Sequence, residues 1–114
     1  MAVVAPMSGV PYAVQPAGTT TGNGDVVVPP PSFAYHEIYI IGSAGIATGA
    51  VQIESSDNPT YGGTWAAEGS AITAVASATL VSHLTGKYFA LRARISTNIT
   101  GGTVQVDYIG SKAY

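Results

Sequence analysis

From Phe33 onward the apolar residues of this 114-residue chain recur at every second position, and no stretch repeats them at helical spacing over three turns. A period of two places successive side chains on opposite sides of an extended backbone. The pattern therefore commits this part of the chain to strands with one buried face. Tyr88–Ile95 shows it best: Phe89, Leu91, Ala93 and Ile95 fall on one face, and Tyr88, Arg92 and Arg94 on the other. Thr103–Ile109 turns Val104, Val106 and Tyr108 inward and Gln105 and Asp107 outward. Ala50–Glu54 sets Val51 and Ile53 against Gln52 and Glu54. Phe33–Ile41 is a further strand, Thr64–Ala67 a short one carrying Trp65, and Ala76–Leu84 another; Ala71–Ala78 reads as strand or loop. Turn residues separate the runs, at Gly42–Gly45, Asp57–Gly63, Thr85-Gly86 and Gly101-Gly102. Short strands at this spacing predict an all-β fold, an antiparallel β-sandwich or jelly roll.

The first 32 residues follow another rule. Pro6, Pro11, Pro16, Pro29, Pro30 and Pro31 lie there, leaving Pro59 as the one proline elsewhere. Proline fixes φ and lacks an N–H, which rules out a helix or a central strand. Pro29-Pro30-Pro31 should form a short polyproline run. The stretch is nevertheless apolar: it holds Val3, Val4, Met7, Val10, Tyr12, Val14, Val26, Val27 and Val28, with Asp25 as its one charge. Disordered tails are usually polar and charged. Two units follow, an extended arm over 1–32 and a sandwich over 33–114. Fully stretched, such an arm reaches on the order of 100 Å. It can lie on its own sandwich or on a neighbouring subunit. In the second case its apolar residues are an interface, and 33–114 should fold without them.

Charge sets the function classes. Lys, Arg, Asp and Glu make up 9% of the chain, against about 25% in an ordinary soluble domain. A free-standing protein usually keeps a charged surface for solubility. So uncharged a chain is expected to have its surface covered, by copies of itself or by another subunit. The four cations, Lys87, Arg92, Arg94 and Lys112, are too few and too scattered to neutralise a run of phosphates, and no basic amphipathic segment suggests a membrane. Nucleic acid and membrane are therefore not expected partners. Opposite charges across neighbouring strands, Arg92 and Arg94 against Asp107 with Gln105, would account for the arginines. With no cysteine, disulfides and thiolate metal sites are excluded.

No residues assemble into catalytic or metal-binding spacing, so no enzyme, cofactor or metal is expected. His36-Glu37 and Ser82-His83 are sequence neighbours, and neighbours on a strand point apart; both histidines are expected at the surface or in an interface. Asp57-Asn58 with Glu54 could hold calcium weakly, but Asp and Asn also make turns. Tyr61 and Trp65 flank a glycine-rich turn and could stack on a sugar ring; the competing reading is a Trp65 that fills the core.

The second half of the chain resembles a family of known proteins. The run Val51-Gln-Ile-Glu-Ser-Ser-Asp57, then Trp65, then Tyr88-Phe-Ala-Leu-Arg-Ala-Arg-Ile95, then Gly102-Thr-Val-Gln-Val-Asp107 is similar to small β-sandwich virion proteins of tailed bacteriophages. The likeness covers about residues 50–109. It implies a structural virion protein on the capsid surface: a decoration, or cement, protein that bridges neighbouring subunits. The partners implied are the major capsid protein and further copies of the chain, arranged as a homotrimer. A head–tail or tail component is the nearer alternative, and a carbohydrate- or receptor-binding module using Tyr61 and Trp65 the more distant one.

Overall fold

The computed structural model describes residues 3–9, 11–58 and 65–112; for residues 3–4 and 14–17 it describes the backbone alone. Eleven strands and no helix occur among the described residues. They are β1 (Val3–Val4), β2 (Tyr12–Gly18), β3 (Gly22–Asn23), β4 (Val26–Val27), β5 (Tyr35–Gly42), β6 (Thr48–Ser56), β7 (Ala66–Ala67), β8 (Ile72–Thr73), β9 (Thr79–Thr85), β10 (Ala90–Thr100) and β11 (Val104–Ser111). Two sheets pack face to face as a β-sandwich. One runs β1-β4-β10-β6-β7, with β3 also on β10 and β8 also on β6; the other runs β2-β11-β5-β9. Pairing is antiparallel except between β1 and β4.

Alternation decides the core. Ile38 and Ile40 of β5, Val51 and Ile53 of β6, Leu91, Ala93 and Ile95 of β10, and Val104, Val106 and Tyr108 of β11 meet between the sheets, each at most 4% exposed. Phe89 does not join them. It precedes β10 and stands 55% exposed, because the strand begins one residue later, at Ala90. Beyond Ile95 the register of β10 against β6 shifts, and Ile99 takes the next inward place. Gly49 lies opposite this irregularity with φ at +142°, and any side chain there would collide with Ile99.

The long strands switch sheet at each step: β5, β9 and β11 belong to one sheet, β6 and β10 to the other. The expected cross-strand pairing of Arg92 and Arg94 with Asp107 therefore does not form. Gly101-Gly102 is not a hairpin turn but a crossing, held by bonds from Ser43 N–H to the Thr103 carbonyl (3.0 Å) and from Ala47 N–H to the Thr100 carbonyl (2.8 Å).

The described residues before Phe33 are mostly extended, and they are stitched into their own sandwich. The segment starts beside β4 in one sheet, crosses to β11 as β2 in the other, and returns to β10 as β3 and β4. Thr19 accepts a backbone bond from Ile99 (2.7 Å), and Gly24 N–H donates to Ala93 (2.7 Å). Proline keeps to its rule here, since Pro16 sits in an edge strand. The change of composition at residue 33 is thus not a boundary between separately packed units. Val26 and Val27, expected as interface residues, are 0% and 1% exposed within this chain. Alternation sends Val27 to the inter-sheet core and Val26 to the opposite face of the sheet. Tyr12 is half-buried against the core, and its hydroxyl donates to Asp25 (3.1 Å). Among the described large hydrophobic side chains of the arm, Met7 alone is largely exposed, at 71%. Val10 lies outside the described residues, as do the side chains of Val3, Val4 and Val14.

This packing argues against the expectation that 33–114 folds alone. Val27→Ala should cost on the order of 2 kcal/mol, read as a lower urea midpoint. Deleting residues 1–32 should abolish the cooperative melt; a truncated chain that melts like the parent would remove the arm from the core.

Candidate functional site

Three clusters hold almost all the polar chemistry of the described residues. The first is buried at one end of β5. Alternation turns His36 inward with Ile38 and Ile40, and it is 0% exposed. This corrects the surface or interface position expected for it. Its Nε2 lies 2.9 Å from the Gly86 carbonyl and its Nδ1 2.5 Å from the Tyr108 hydroxyl. A carbonyl can only accept, so Nε2 carries the proton and Nδ1 accepts from the Tyr108 O–H. Tyr88 packs edge-on against the imidazole, with ring centroids 5.3 Å apart. Gly110, which pairs with His36, leaves room for the Tyr108 hydroxyl and the Phe33 ring, where any Cβ would clash. Burial pushes the His36 pKa down from 6.5, against the smaller opposite effect of the Gly86 carbonyl. Burial likewise pushes the Tyr108 phenol up. With both nitrogens bonded and no solvent access, this histidine ties β5, β11 and the turn after β9 together.

The second cluster covers the outer face of β6 and β10. Glu54 of β6 lies directly across from Arg92 of β10. Its Oε1 accepts from Arg92 Nε at 2.8 Å and its Oε2 from Arg94 Nε at 3.4 Å. The side chains of Glu54 and Arg92 are about a tenth exposed and that of Arg94 over a third. The Arg92 guanidinium lies over the Trp65 ring, 4.2 Å from its centroid. Trp65, only 9% exposed, packs with Val26, Val28 and Ala90 into a small core of its own. The ring is therefore a packing element and not an exposed stacking platform; Tyr61 lies outside the described residues. Gln52, beside Glu54, donates to the carbonyls of Ile53 (2.9 Å) and Gly69 (3.2 Å).

The third group flanks it. Glu68 accepts from the Tyr88 hydroxyl (2.8 Å) and the Ser55 hydroxyl (3.2 Å). Burial and this carboxylate together raise the Tyr88 pKa. Glu54 faces the arginines, and Asn58 serves a turn through its N–H to the Ser56 hydroxyl (3.1 Å). No group of three or more His, Asp and Glu among the described residues could hold a metal ion. Ser82 and His83 point to opposite faces of β9, and His83 is exposed.

The remaining surface carries few charges. Phe89 edges a groove lined by Val28, Pro29, Pro31, Lys87 and Tyr88, and Lys87 Nζ donates to the Pro31 carbonyl (2.9 Å). Val75 and Val81 are 46% and 43% exposed. Of the ten charged residues, Glu54, Arg92, Arg94, Glu68 and Lys87 are engaged as described. Asp25 is held by Tyr12, Glu37 by Tyr39 (2.8 Å) and Asp107 by Gln105 (2.9 Å), leaving Asp57 and Lys112 exposed. The signal for the buried His36 was present in the sequence, in the inward set His36-x-Ile38-x-Ile40. The Glu54–Arg92 pairing carried no such signal, because it spans 38 residues. Comparison with models of known protein families, with curated proteins and with solved structures finds no match.

Two predictions follow from the buried groups. Below pH 6.5 the unfolded chain takes up a proton at His36 that the folded chain resists. Stability should therefore fall as pH falls from 6.5 toward the lowered folded pKa, by at most about 1.4 kcal/mol per pH unit. Urea midpoints between pH 7.5 and 5.5 should show this, and His36→Gln should start lower but lose less across the window. Glu54→Gln leaves Arg92 nearly buried without its carboxylate and should cost on the order of 3 kcal/mol at pH 7. Arg94→Gln, at the more exposed side chain, should cost less than about 1 kcal/mol.

Proposed function

We propose that this protein is a structural subunit of a virion, a decoration or cement protein that lies on a capsid and bridges neighbouring shell subunits. The observation that carries the reading is how the charge is used. The chain has few charged residues, and eight of the ten are tied to partners inside the same chain. What faces outward is mostly uncharged, with apolar side chains such as Phe89 and Met7 standing clear. Such a surface gains by being covered: each large apolar side chain moved out of water contributes about 1.5–3 kcal/mol before ordering costs. Repetition on a lattice multiplies weak contacts through effective concentration. The resemblance of residues 50–109 to bacteriophage virion sandwiches supports the same reading, as does a fold whose polar clusters are all spent on holding strands. The deep burial of Trp65 weighs against the glycan-binding alternative.

The test is composition and stability of particles. Virus particles purified from the source of this protein should contain it in a fixed ratio to the major shell protein. Particles stripped of it should release their contents at lower temperature, and adding the purified protein back should restore them. Its absence from purified particles while abundant in the lysate would defeat the proposal.

A further inference from the structure

A sandwich has four outer edges, and a long bare edge strand is a template for another strand unless something blocks it. Three edges here are short or interrupted. β1 and β7 are two residues long, as is β8 alongside β6. β2 contains Pro16, which has no N–H to offer, and its register on β11 shifts twice. The fourth edge is β9. It is seven residues long, pairs among the described residues with β5 alone, and keeps one unbroken register from Tyr35↔Thr85 to Ile41↔Thr79. Its sequence, Thr79-Leu-Val-Ser-His-Leu-Thr85, has no lysine, carboxylate, proline or glycine. The strand itself carries none of the usual blocking residues, and among the described residues no other strand pairs with its free side.

The backbone direction along this edge is fixed by the bonds at its two ends. Gly42 N–H donates to the Ala78 carbonyl and Gly86 N–H to the Ala34 carbonyl. In an antiparallel ladder the residues that bond to a given neighbour alternate. The even-numbered residues of β9 therefore bond to β5. Thr79, Val81, His83 and Thr85 direct their N–H and C=O groups away from the sheet, and their side chains are exposed.

We infer that β9 is a self-pairing edge, at which two copies of this chain join antiparallel about a two-fold axis through Ser82. The sequence is what selects a second copy as the occupant. Read from either end, the strand is Thr-Leu-x-Ser-x-Leu-Thr, symmetric about Ser82. Antiparallel pairing centred there sets Thr79 against Thr85 of the second copy, Leu80 against Leu84, and Val81 against His83. The four residues that face outward become hydrogen-bonded pairs, giving about eight backbone bonds. Leu80 and Leu84, which pack only partly against the core, gain cover from their counterparts. No like charges meet, because the strand has none. The contact is isologous, as a two-fold requires, and it differs from the three-fold arrangement expected from the sequence. It does not rest on the proposed function: a chain never found in a virion could still pair this way.

The register can be tested directly, because the chain has no cysteine. Ser82 would oppose its own copy in a non-hydrogen-bonded pair, with Cα atoms about 4.5 Å apart, inside the range a disulfide needs. Thr85 would lie roughly 20 Å from its own copy. Diamide oxidation of the purified full chain should cross-link Ser82→Cys into a dimer and leave Thr85→Cys monomeric on a non-reducing gel. In sedimentation velocity the parent should dimerise. Val81→Lys/His83→Lys and Val81→Glu/His83→Glu should each weaken self-association by roughly tenfold or more, while their equimolar mixture restores the dimer. These side chains are exposed, so circular dichroism should be unchanged. A parent that stays monomeric at high concentration overturns the inference, as does equal cross-linking of both cysteine variants. A dimer that Ser82→Cys does not trap, or that survives the four added lysines, overturns it too.

Discussion

Glu54 answers two arginines at once, and much of the sandwich is arranged around that answer. It fixes β6 against β10, the two longest strands, at Arg92↔Glu54. A slip of one residue would separate the charges and turn Leu91, Ala93 and Ile95 out of the core. Burying an ion pair adds little net stability, since desolvation offsets the attraction. Losing one member is what costs, and that asymmetry penalises every wrong register. Trp65 completes the arrangement by covering Arg92 with an aromatic face. Beneath it Val26 and Ala90 close the small outer core. One sheet is thereby sealed locally on both faces, and this explains how Gln52 and Glu54 come to be buried although they alternate away from the main core.

The proline-rich segment owes its place to the same geometry. A chain that cannot form a helix or a long central strand can still add short strands where donors and acceptors are unpaired. β10 offers such groups to β3 and β4, and β11 offers its free side to β2. Because the segment visits both sheets, it works as a strap across the sandwich and not as a tail. Of its described apolar side chains, Tyr12, Val26 and Val27 then need no partner molecule to account for them, while Met7 stands exposed.

The strands were legible in the sequence because period-two alternation is local: β5, β6, β10 and β11 lie where Phe33–Ile41, Ala50–Glu54, Tyr88–Ile95 and Thr103–Ile109 were expected, within about two residues at each end, except that β10 runs on past Ile95 to Thr100. Trp65 was legible as buried for its size, although it closes a small outer cluster with Val26 and Ala90 and not the core between the sheets. Partnership was not legible. Gly101-Gly102 looks like a hairpin turn, yet Gly101 lacks a side chain because the Gly45 backbone passes against it. No local pattern distinguishes a glycine that reverses a strand from one that lets two loops cross. The arm failed for a related reason: composition marks it as different, but its partners β10 and β11 lie 64 to 96 residues downstream, from Val27↔Leu91 to Tyr12↔Tyr108. The assembly role rests on charge and resemblance, which say that a surface is to be covered without saying by what.

One further consequence lies in the order β2-β11-β5-β9. The strand made last in this sheet is not at its rim but between the first-made strand and β5. During synthesis β2 and β5 must wait with a strand-wide gap between them, and sheet closure cannot begin until β11 has cleared the ribosome. Nearly every long pairing joins distant parts of the chain, a topology that folds slowly. The nascent protein should thus hold β2 and one side of β5 unpaired until its last strand of this sheet emerges, and its yield in the cell should depend on the chaperones that shield them.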